Sequence, residues 1–150
     1  MTQRVSATYL IATLQDARAR TLELVNDLDQ EQLMGPKLPG VNPLRWEIGH
    51  IAYFYEFFIL RSLYGHDSIL GLKADELYDS IAVAHDTRWD LPLLSMTETL
   101  AYMNDVLEKV CAHLVNKNED GLASEQDSFI YQFGAFHEDC LLYTSDAADD

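Results

Sequence analysis

Basic residues are scarce: ten Lys and Arg stand against twenty-five Asp and Glu, a formal net charge of −15. Such a charge repels phosphate backbones and anionic headgroups, so nucleic acid is excluded as a partner and no membrane association is expected. Cysteine is scarcer still. Cys111 and Cys140 show no framework spacing, which points to a reduced, cytoplasmic compartment. Long apolar runs are missing too: the richest, IAYFYEFFIL, has ten residues, contains Glu56 and lies between Glu47 and Arg61. It is too short and too charged to span a bilayer. The start, MTQRVSATYL, lacks the basic-then-apolar pattern of a secretory signal. No stretch alternates apolar and polar residues for long enough to build a sheet.

What is present is a chain of 150 residues, 48% hydrophobic and 11% aromatic, which fits one globular domain with a single core. Four segments carry helical signals. The first runs from about Ser6 to Leu28, with Leu10, Leu14, Ala17, Leu24, Val25 and Leu28 close to one stripe. The connector GPKLPGVNP follows, and its Asn42 and Pro43 predict an N-cap and first helical residue. The second helix, about Pro43 to Tyr64, is unusually aromatic; Trp46, His50, Phe54 or Tyr53, and Phe57 recur at three and four residues and so share a face. Ser95 and Glu98 form an S-x-x-E box that opens the third helix, which reaches about Asn116. The fourth begins near Ser124 or Asp127 and carries Ile130, Phe133, Phe136 and His137. Residues 65–94 form a long crossover between the second and third helices, with LKADELYDSIA as a short helix and VAHDTRWDLPL as an ordered loop. The expected class is all-α, a four-helix bundle whose sites face the interior.

Of five histidines, His66 in YGHDS reads as turn chemistry and His113 as the edge of an apolar stripe. His50 and His137 differ, because each sits on the inward face of an aromatic helix, where an unpaired imidazole is costly to bury. A metal shared between the two helices satisfies both, and neutral imidazoles suit Fe(II), Zn and Cu. Two ligands are too few. The natural third position, one turn after His137, holds Leu141.

Three runs, VNPLRWEIGHIAYFYEFFILR, LYDSIAVAHDTRWDLPLLSMTETLAYM and YQFGAFHED, make the chain similar to the N-terminal DinB-like domain of the ergothioneine-type nonheme iron sulfoxide synthases, selenoneine synthases included. The resemblance covers about residues 6–139. It implies a DinB-like four-helix bundle whose first iron ligand is His50 in the WxxGH motif, Trp46 to His50, with two more from an HxxxHxE motif that begins here at His137. It implies oxygen-dependent C–S or C–Se bond formation between trimethylated histidine and a thiol or selenol donor. Beyond Asp139 the likeness ends: the family's His and Glu are Leu141 and Tyr143 here, and its formylglycine-generating-enzyme-like second domain does not follow. Residues 1–139 are therefore expected as the helical metal-binding domain, with the fourth helix truncated, and 140–150 as an unrelated or artefactual tail. Weak or no iron retention is expected, hence an inactive chain with no catalytic residue of its own.

Cys140, three residues after His137, is a substitute ligand that as a thiolate favours zinc; against it, terminal turns fray. The resemblance places HDTRWD near the site mouth, so Arg88, and secondarily His85, are candidates to bind substrate carboxylate. The bland alternative for Arg88 is an internal ion pair with Asp86 or Asp90. The aromatic stripe reads as core packing first and as walls for a trimethylammonium group second. Competing functions are a stand-alone DinB-like module that binds metal or thiol, and a non-catalytic helical domain. A shortened fourth helix exposes the inner face of the bundle and predicts self-association.

Overall fold

The structure of the protein is a computed structural model that describes residues 3–115 and 120–149. Helix α1 spans Ala7–Val25, and Ser6 caps it by accepting from the Tyr9 N–H at 3.0 Å. Leu10, Leu14, Ala17, Thr21 and Val25, three or four residues apart, are all buried. One turn that the sequence reading left unassigned, between the first helix and the connector, is helical: α2, Gln30–Met34, is held by a reciprocal box in which Asp29 and Gln32 bond each other's backbone N–H.

Helix α3 covers Leu44–Tyr55 and widens into a π-helical turn over Glu56–Arg61. Pro43, not Asn42, stands at its N-cap. The Asn42 amide is engaged elsewhere: it donates to Glu47 Oε1 and accepts from the Arg88 guanidinium, both at 2.7 Å. Bonds to these charged groups outweigh a neutral cap. The π turn coincides with Glu56, a fully buried carboxylate that accepts from the Tyr102 hydroxyl and the Ile69 N–H, each at 2.8 Å. The short crossover helix is α4, Leu72–Tyr78, and a 3-10 turn at His85–Thr87 lies in the loop beyond it.

Helix α5, Met96–Val115, opens with the Ser95–Glu98 box as expected; Asn116, its expected end, lies outside the described residues. Helix α6, Glu125–Asp149, is capped by Ser124, whose hydroxyl accepts from the Asp127 N–H at 3.0 Å, while the Asp127 carboxylate accepts from Tyr64. The expected early end of this helix is not found. Its backbone stays helical to Asp149, because an apolar stripe can stop without stopping a helix, and neither Gly nor Pro occurs after Gly134. Leu141 is half-buried against the core; side chains beyond it, that of Tyr143 included, and Asp150 lie outside the described residues.

α1 packs on α5 and α6, and α3 packs on the same two, giving an all-helical bundle with no strand among the described residues. At one end the chain pins itself: Ala7 N–H donates to Gly121 O at 2.9 Å and Ala123 N–H to Val5 O at 2.8 Å. Deeper, Glu138 is fully buried. Its Oε1 accepts from Arg18 Nε at 3.1 Å and Thr21 Oγ1 at 2.6 Å, and its Oε2 accepts from the Tyr55 hydroxyl at 2.8 Å. A buried carboxylate satisfied from α1 and α3 together fixes the register of α6 against both. Gly134 makes this possible, since a Cβ there would come within 2.5 Å of the Tyr55 ring.

Candidate functional site

A cavity of about 230 Å³ is bordered by His50, Tyr53, Phe54, Phe57, Phe58, Asp79, Ser80, Ile81 and His137, and so brings two histidines together. The rings of His50 and His137 stand 5.2 Å apart between centroids, with their planes at 62°. Helix α3 supplies His50 and most of the aromatic wall, α6 supplies His137, and the turn after α4 supplies the polar rim.

His50 is tightly mounted. Its Nδ1 lies 2.7 Å from the Tyr78 carbonyl oxygen, which can only accept, so Nδ1 carries the proton and Nε2 keeps the lone pair. Trp46, one turn earlier, stacks on the imidazole at 4.7 Å and 9°, and donates through Nε1 to the neighbouring carbonyl, Leu77, at 2.7 Å. Burial pushes the His50 pKa down; the Tyr78 bond opposes this, and the Arg88 charge adds to it.

His137 is mounted differently. Phe54 stacks on it at 3.9 Å and 14°, yet its Nδ1 is buried without a hydrogen-bond partner. Burial, helped by repulsion from His50, holds its pKa down to about 4. At neutral pH both rings are therefore uncharged, the form in which imidazole binds a cation.

Among the described residues no third donor joins them. Leu141, one turn beyond His137, offers none, Cys140 lies on an exposed part of α6, and among the described residues no group of three His, Cys, Asp or Glu side chains is placed to hold an ion. The residues present supply two imidazoles where a three-donor nonheme iron site needs one more. They do not complete such a site.

Arg88 and His85 stand away from this cavity. The Arg88 guanidinium is buried over the Trp46 ring at 4.0 Å and donates to Asn42 Oδ1, Ser80 O and Val83 O. Neither Asp86 nor Asp90 is its partner in these contacts. It ties down the loop that carries Ser80, beside the cavity rim. His85 contacts the Val41 carbonyl through Nε2 at 2.6 Å and packs edge-on to Trp89.

Sequence reasoning missed two features. The carbonyls of Leu77 and Tyr78 are backbone groups and leave no residue signature. His66 and His113 were read singly, but their Nε2 atoms lie 2.8 Å apart, with Tyr64 stacked on His113 at 3.7 Å; a pairing across 47 residues has no local signal.

Residues 13–138 match the DinB superfamily. The chain belongs to that superfamily. It is also 34% identical over 134 residues to a hercynine oxygenase of Mycobacterium tuberculosis, covering 89% of this chain and 30% of that protein. A hercynine oxygenase of Mycolicibacterium thermoresistibile is 32% identical over 133 residues, covering 86% of this chain and 28% of its own length. One of Mycolicibacterium smegmatis is 35% identical over 107 residues, covering 69% and 24%. This DinB chain thus spans about 30% or less of the length of the curated relatives it matches. No helix among its described residues is long and apolar enough to cross a membrane.

Proposed function

We propose that this chain is the helical, histidine-bearing portion of an oxidoreductase of the hercynine oxygenase type. In that reading the parent enzyme acts on hercynine, a trimethylated histidine, and joins its imidazole carbon to a sulfur or selenium donor at the expense of oxygen. The single observation that carries the proposal is the convergence of His50 and His137, from separate helices, on one aromatic-walled cavity. The kinship with three hercynine oxygenases supports the choice of substrate. The aromatic wall of Tyr53, Phe57 and Phe58 with Asp79 at its rim suits a quaternary ammonium group.

The chain as written is proposed to be inactive, because Leu141 stands where a third donor would complete an iron site. Fe(II), or Zn(II), is expected to bind weakly through His50 and His137 alone. Anaerobic Fe(II) and aerobic Zn(II) titrations test this, with Leu141→His as the restored form. Tighter one-to-one binding in Leu141→His, lost again on adding His50→Ala or His137→Ala, is the expected result. Equal binding by the original chain and its His137→Ala variant would remove the proposal.

A further inference from the structure

The W-x-x-G-H run has a shared structural target. Helix α4 is short, and the carbonyls of its last residues, Leu77 and Tyr78, lack intrahelical donors. Both are met from α3: Trp46 Nε1–H serves Leu77 at 2.7 Å and His50 Nδ1–H serves Tyr78 at 2.7 Å. Spacing of four residues on α3 sets these two donors one turn apart on the same face. Between them in sequence comes Gly49, and a Cβ added there would lie 2.3 Å from Tyr78 Cε1 and 2.5 Å from Cζ. Tyr78 cannot swing aside freely, because it is fully buried and stacked on Tyr102 at 6.3 Å.

We propose that Gly49 is a positioning residue for His50: its missing side chain lets α4 approach so closely that the Tyr78 carbonyl holds His50 in its Nδ1–H tautomer, leaving the Nε2 lone pair for the cavity. Use of that lone pair as a metal donor rests on the function proposed above. The tautomer does not.

Gly134 supplies an internal comparison, since a Cβ there meets Tyr55 at 2.5 Å, a similar clash with a different ring. The test is ¹⁵N–¹H correlation of the histidine rings in metal-free protein, above the pH at which either imidazole is protonated. In the unmodified chain His50 is expected to be almost entirely Nδ1–H. Gly49→Ala is expected to shift most of the population to Nε2–H, whereas Gly134→Ala loses stability and keeps the original tautomer. If Gly49→Ala does not fold, the double variant Gly49→Ala/Tyr78→Leu removes the clashing ring but keeps the carbonyl, and is expected to recover both fold and tautomer. An Nε2–H tautomer in the unmodified chain overturns the proposal. So does a folded Gly49→Ala chain with unchanged His50, a Gly134→Ala chain with the same shift, or a refolded double variant that stays Nε2–H. Zinc added to the unmodified chain reports on the other reading: an unmoved His50 with the stated tautomer supports the positioning role and dismisses the metal.

Discussion

The two histidines share one cavity but are mounted by opposite strategies. On the α3 side the ring itself is fixed, by a carbonyl at Nδ1 and an indole on its face, while on the α6 side the backbone is fixed and the ring's polar edge is not. Glu138, adjacent to His137, locks α6 to Arg18, Thr21 and Tyr55, but the imidazole one residue earlier is held by ring contacts with Phe54 and His50 and by no hydrogen bond at Nδ1. The difference teaches that a helix can be anchored without its functional side chain being satisfied. A buried, unpartnered Nδ1 costs free energy that an incoming ligand can recover.

The largest effect is expected from removing the α6 anchor. Glu138→Ala takes the carboxylate away from a buried guanidinium and two hydroxyls, at a cost of about 3 to 5 kcal/mol, a large part of the stability of a domain this size. Urea unfolding measures it, and a loss below about 1 kcal/mol would show that the anchor is not what fixes α6.

Acid separates the two mounts next. The unfolded chain protonates His137 near pH 6.5, the folded one only near pH 4, so the folded state binds fewer protons across that window and loses stability as pH falls through it. With water at the exposed edge of the ring allowed for, the loss is about 2 to 3 kcal/mol in the metal-free protein. His137→Phe should flatten the curve between those limits; an unchanged curve would show that the ring is not held neutral by burial. The smallest effect belongs to the neighbour of the anchor. Asp139 pairs with Arg20 at 2.9 Å, but both side chains are nearly half exposed, so Asp139→Asn should change stability by less than about 1 kcal/mol in thermal unfolding. A loss matching that of Glu138→Ala would erase the distinction between buried anchor and surface pair.

Much of the fold was legible because its signals are local. Ser95 opens its helix as expected and Ser124 is the one of the two expected starts that caps α6, while the Ser6 cap and the Asp29–Gln32 box were there to be read as well. Asn42 misled because its cap competed with Glu47 and Arg88, partners that only the folded chain brings near. The end of α6 misled for another reason: apolar patterning and helix propensity are separate properties of a sequence, and the first stops where the second continues. For Arg88 the sequence offers a substrate carboxylate or an ion pair with Asp86 or Asp90; the structure lays it over Trp46 with backbone carbonyls around it.

By itself the sequence determined that the protein is helical, that His50 and His137 occupy inward faces, and that a leucine follows where a third imidazole would complete their set, since these are matters of residue type and helical period. Tertiary structure alone decided that the two rings meet at 5.2 Å, which nitrogen of His50 keeps its lone pair, and that Glu138 rather than an exposed pair holds α6. Those outcomes depend on groups distant in the chain or on backbone carbonyls that no residue code records. Packing brings such groups together and fixes their hydrogen bonds, and spacing along the chain does not.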